Sequence, residues 1–88
     1  MAELIVQLAD PVNADGVAYV AQVWAEANHR WRAWLVFIAA DGRILRTEHE
    51  TTGAGRDAIR AWAGGLRVPD LEQALRRAVP PSAQLPAA

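Results

Sequence analysis

Residues 28–43 run Asn28-His29-Arg30-Trp31-Arg32-Ala33-Trp34-Leu35-Val36-Phe37-Ile38-Ala39-Ala40-Asp41-Gly42-Arg43. The centre of this stretch, Trp34 to Ile38, is apolar at both parities and rich in aromatic and β-branched residues. That composition suits a central strand covered on both faces. Asp41-Gly42 is the strongest short hairpin signal in the chain, so Arg43 to Thr51 is expected to return as the neighbouring strand. Upstream, Asn28-His29 reads as a tight turn leading back into Val17 to Ala27. Within that segment Val17, Val20, Ala21 and Trp24 fit a helical stripe that Asp15 could cap. Tyr19, Ala21 and Val23 also alternate with Val20, Gln22 and Trp24, and the adjacent hairpin decides for strand. Further out, Leu4 to Leu8 reads as a short strand, with turn chemistry at Asp10-Pro11 and Asn13-Ala14-Asp15-Gly16.

Beyond Gly53 the apolar period changes from two to 3.6. Ala58, Ile59, Trp62 and Leu66 share one face of a helix that begins near Gly55, and Gly64-Gly65 is expected to end it with a left-handed cap. A second helix is expected to start at Pro69, with Asp70 and Glu72 near its N-terminus and Arg76 and Arg77 near its C-terminus. Leu71, Ala74, Leu75, Ala78 and Val79 make its apolar stripe, and Pro80-Pro81 stops it. The expected fold is α+β. An antiparallel meander of three to four strands, in β(β)ββαα order, carries two C-terminal helices on one face. Residues 1–79 form one domain and residues 80–88 are expected to be a disordered tail.

If both turns hold two residues, Val23 pairs with Trp34, Ala21 with Val36, Ile38 with Leu45, and Trp34 with His49. One face then holds Tyr19, Ala21, Val23, Trp34, Val36, Ile38, Leu45, Thr47 and His49, and is assigned to the core beneath Trp62 and Leu75. The other holds Val20, Trp24, Trp31, Leu35, Phe37, Ile44 and Arg46. Two helices cover one sheet face only, so these seven residues are the expected interaction surface, filled by a protein partner or a second copy. The competing expectation is that the N-terminal segment, with Ile5 and Leu8, folds across it or adds an edge strand.

The 88-residue chain has a net charge of −1, a pI near 6.0 and no cysteine, so neither a disulfide nor a thiolate metal site supports its small core. Its nine basic residues are all arginine, a pattern that GC-rich codon usage explains as well as anion recognition does. No stretch reaches membrane-spanning length and no basic segment precedes Leu4 to Leu8, so the expected location is cytoplasmic, without membrane partners.

Candidate chemistry is sparse. Cysteine and lysine are missing and the lone serine, Ser82, lies in the tail. His49 sits between Glu48 and Glu50, but alternation sends those carboxylates to the opposite face, so neither a triad nor a metal site is expected. No cofactor is called for. Thr52, Gly53, Gly55 and Arg56 form a possible anion-binding loop at a helix start, without a full phosphate-loop pattern. The alternative is a strand-to-helix loop capped by threonine. Arg30-Trp31-Arg32-Ala33-Trp34 interleaves cations with rings, as single-stranded nucleic-acid binders do, although Glu26, Glu48 and Glu50 oppose phosphate. The expected function is a non-catalytic interaction module that self-associates or docks a protein through an aromatic sheet face. Nucleic-acid binding and small-anion binding are the alternatives.

Overall fold

The computed structural model describes residues 1–81 of the chain. Its spine is a long hairpin of β3 (Val17–Asn28) and β4 (Arg30–Ala39). Val17 to Ala27 is therefore strand, the choice that its neighbouring hairpin favours over the helical stripe. On the outer side of β3 lie β1 (Ala2–Gln7) and β2 (Val12–Ala14), end to end, and on the outer side of β4 lie β5 (Ile44–Arg46) and β6 (Thr51–Gly53). The six strands thus make an antiparallel sheet four ribbons wide. Two helices follow, α1 (Arg56–Gly64) and α2 (Val68–Arg77), and both pack on the same face.

Asp15-Gly16 is the two-residue turn of the molecule. Asp15 at φ 51 and Gly16 at φ 78 provide the two positive angles that match strand twist in a tight hairpin, so Ala14 faces Val17. The other two turns contain an odd number of residues. His29 alone separates the paired residues Asn28 and Arg30, at φ 64. At the other end, Gly42 N–H donates to Ala39 C=O at 3.0 Å and Ala39 N–H to Arg43 C=O at 2.9 Å, so Ala40, Asp41 and Gly42 form a three-residue loop. Gly42 at φ 91 closes it in the left-handed region that glycine tolerates.

Those odd turns correct the face assignment. The pairs are Val23 with Leu35, Ala21 with Phe37, and Phe37 with Leu45, not the pairs that two-residue turns produce. A slip of one residue exchanges the two faces of a strand. Here the register slips once on each side of β4, and the two slips cancel across it. The residues of β3 and β5 stay on their expected faces and only β4 is inverted. Its Ala33, Leu35, Phe37 and Ala39 lie beneath the helices with Tyr19, Ala21, Val23 and Ala25. Trp34, Val36 and Ile38 lie on the face away from them.

The core gathers these residues with Val12, Ile59, Ala63, Leu71, Ala74 and Leu75, and Trp62 and Leu66 seal its margin. Gly53 lets α1 lie close against the sheet, since a Cβ there would stand 3.0 Å from the Ala58 Cβ. At the end of α1, Gly65 has φ −89, so the expected left-handed cap does not form. Instead Gly65 N–H donates to Trp62 C=O at 3.0 Å in a tightened last turn. Neither threonine caps α1, whose N-cap is Gly55 in extended backbone. Pro69 stands in the first turn of α2, and the Asp70 carboxylate accepts the Arg67 backbone N–H at 2.9 Å.

The returning strand expected over 43–51 is broken in two. Between its halves, Thr47, 1 % exposed, accepts the Leu35 N–H on its hydroxyl at 3.1 Å and donates to Glu48 C=O at 2.9 Å. Thr47 N–H also reaches Leu35 C=O at 3.0 Å, so one side chain replaces the missing rung. Val79 pairs with Arg46 through two backbone bonds and covers the edge of β5. A bulge at Ile5 twists β1, the opposite edge. The N-terminal segment therefore extends the sheet and leaves the second face bare. The expected tail falls mainly on residues 82–88, which lie outside the described residues.

Candidate interaction face

The face away from the helices is built from alternate residues of four ribbons. From β3 it takes Val20, Gln22, Trp24 and Glu26, from β4 Arg32, Trp34, Val36 and Ile38, and from β5 Ile44 and Arg46. Leu4 joins it beside Trp24 and Gln7 beside Gln22.

One half of the face is an aromatic centre under a polar roof. Trp24 and Trp34 are direct cross-strand neighbours. Trp34 is only 4 % exposed although no helix covers it. The Arg46 guanidinium lies 4.5 Å from its ring centroid, and the His49 ring stands 5.7 Å away on the tilt. Arginine over an indole is a favourable cation–π arrangement that also excludes water from the ring. His49 Nε2 is 3.9 Å from Glu26 Oε1. On the other side, Trp24 Nε1 donates to Gln22 Oε1 at 2.9 Å, and Gln22 Nε2 donates to Gln7 Oε1 at 3.0 Å. These bonds hold the Trp24 ring in place.

The other half is aliphatic and bare. Val20, Ile38 and Ile44 occupy neighbouring rungs, and Ile44 is 45 % exposed. Leu4 is similarly open at the far edge.

Of the seven residues expected here, Val20, Trp24, Ile44 and Arg46 are on this face. Leu35 and Phe37 are sealed in the core, and Trp31 packs against the core margin with the Arg56 guanidinium 4.8 Å from its centroid. Those three leave the candidate surface, and Trp34, Val36 and Ile38 take their place. No local signal placed them, since a left-handed Gly42 permits a three-residue loop as readily as a two-residue one.

The candidate anion loop is otherwise engaged. Thr52 and Gly53 are in β6, and the Arg56 guanidinium binds the Glu3 carboxylate through two contacts, that from Nη2 at 3.2 Å. The hydrogen bond from Arg56 holds the Glu3 carboxyl below its ordinary value, and Glu3 raises Arg56 in turn. His49 contacts Trp34 and Glu26. Glu50 makes a paired contact with Arg77 at 2.8 and 2.9 Å, which raises the Arg77 value. Among the described residues, no three histidine, aspartate or glutamate side chains gather as metal ligands. No helix among them is long and apolar enough to cross a membrane.

No family model, curated protein or solved structure matches this chain. The reading of the face therefore rests on its own geometry.

Proposed function

We propose that the chain is a non-catalytic interaction module that pairs with a second copy of itself through the helix-free sheet face. The carrying observation is a sheet face holding exposed Val20, Ile44 and Leu4, which nothing in the described chain covers. Strand rise and spacing give that face about 600 Å² per copy, near the lower end of what specific interfaces bury.

Its charges are arranged to complement themselves. Glu26 pairs with Arg32 across β3 and β4, and Val20 with Ile38. A twofold axis along the strands, midway between β3 and β4, sets Glu26 of one copy over Arg32 of the other. The same axis sets Val20 over Ile38. One operation therefore satisfies both the apolar and the charged halves, as an isologous interface must.

Sedimentation equilibrium tests this. The wild type is expected to be a dimer that Ile38→Asp converts to monomer. Glu26→Arg should weaken the dimer, and the double variant Glu26→Arg with Arg32→Glu should restore it. A wild type that stays monomeric at several hundred micromolar overturns the reading. Oligonucleotide binding with a steep salt slope and tryptophan quenching would replace it with the nucleic-acid reading.

A further inference from the structure

A second feature lies on the other side of the sheet, at the end of the helical layer. The Asp15-Gly16 turn, the start of β5 and the last turns of α2 enclose a groove with about 320 Å³ of space. Val17, Leu45 and Leu75 form its apolar walls, Arg43 and Arg76 bring positive charge, and Tyr19 also lines it.

Tyr19 is the informative residue. It belongs to the core face of β3, where the small Ala39 is its neighbour on β4, and it is only 5 % exposed. Its hydroxyl makes no hydrogen bond with any described residue, and no fully enclosed side-chain oxygen among them lacks a partner. The hydroxyl must therefore open to the groove while the ring stays buried. A phenylalanine would fill the same core volume without a polar atom to satisfy. The hydroxyl adds a donor on a rigid ring, in a groove that Arg43 and Arg76 also line.

Arg43 is steadied from behind. Its Nε and Nη2 bind the Asp41 carboxylate at 3.2 and 2.8 Å, which leaves further N–H donors on the fork. Arg76, in the last turn of α2, has no ion pair among the described residues. Three donor-bearing side chains thus line one small space with aliphatic walls, and Asp15 in the same lining disfavours a dianion. The volume is at the small end of ligand sites, which restricts the occupant to a compact molecule.

We propose that this groove binds a small organic monocarboxylate. Its carboxylate is held by Arg43, Arg76 and the Tyr19 hydroxyl, and its aliphatic or aromatic body lies against Val17, Leu45 and Leu75.

Benzoate, its neutral counterpart benzamide, and inorganic phosphate serve as probes in an amide NMR titration of the full chain. Benzoate is expected to give saturable shifts at Val17, Tyr19, Leu45 and Leu75, with benzamide at least about tenfold weaker, as expected for loss of charge-assisted hydrogen bonds. Tyr19→Phe keeps the core volume, so it should fold as the wild type does and weaken benzoate about three- to tenfold. Arg76→Gln should weaken it about tenfold. Equal binding of benzoate and benzamide, unchanged affinity in Tyr19→Phe, or shifts confined to the Trp24 and Trp34 face would overturn the assignment. So would saturable binding of phosphate without benzoate.

Discussion

The two faces of this sheet draw on the same residue types, yet they are closed in different ways. Beneath the helices, Leu35 and Phe37 are sealed by Ile59, Leu71 and Leu75. On the bare face, Trp34 is just as enclosed, but by Arg46 and His49, side chains reaching across the sheet itself. Beside it Val20 and Ile44 stay open. The difference teaches that burial alone does not mark the core. A large ring can be hidden on a surface by its own neighbours when one of them is an arginine able to lie flat on it. The shorter aliphatic side chains have no such cover, and the proposed pairing would bury these positions most.

The sharpest way to break this comparison is to truncate two adjacent residues that point in opposite directions. Phe37→Ala should destabilise the fold by about 3–5 kcal/mol, because it leaves a cavity under the helices. Ile38→Ala should cost about 1 kcal/mol or less in dilute solution, because its side chain is only partly covered. Urea unfolding of the two variants reads the contrast directly. Equal losses, or the reverse order, would return β4 to the two-residue register.

A smaller effect tests how the interrupted outer strand is held to β4. Thr47→Val keeps the shape but removes the acceptor for the Leu35 N–H, at an expected loss of about 1–3 kcal/mol. Thr47→Ser should retain most of the stability. Hydrogen exchange at the Leu35 amide should accelerate in the valine variant and stay slow in the serine one. Unchanged protection in both would mean that the hydroxyl carries no part of the rung.

The smallest effect concerns the turn that sets the β3–β4 register. His29 is held at φ 64, where a non-glycine residue carries about 1 kcal/mol of strain. His29→Gly relieves it, while the freer unfolded chain takes part of the gain back. The expected outcome is a stabilisation between zero and about 1 kcal/mol by thermal unfolding. A clear destabilisation would show that the imidazole makes a contribution the backbone angle does not capture.

Much of the architecture was legible because its signals are local. The alternation from Tyr19 to Trp24, the apolar run from Trp34 to Ile38 and the helical period from Leu71 to Leu75 each depend on residues close together in the chain. Three features were hidden. Val12 to Ala14 is too short to show a period, and it pairs only because Asp15-Gly16 folds it back on β3. The break at Thr47 follows from a side-chain bond across the sheet. The groove at Tyr19 joins residues from three separate segments of the chain. Three of the seven residues expected on the candidate face were misplaced for a single reason, the parity of two turns.

By itself the sequence determined the long strands and the two helices, their order, and that two helices cannot cover both sides of the sheet. Periodicity is written along the chain, and burying an apolar stripe needs no knowledge of its partner. Only the tertiary structure decided which side of β4 faces the helices. That choice depends on whether the loops at His29 and Gly42 hold an odd or even number of residues, and left-handed positions permit either. Cross-strand packing of Phe37 on Ala21 and Leu45, with Ile59, Leu71 and Leu75 closing the same core, selects one of the two.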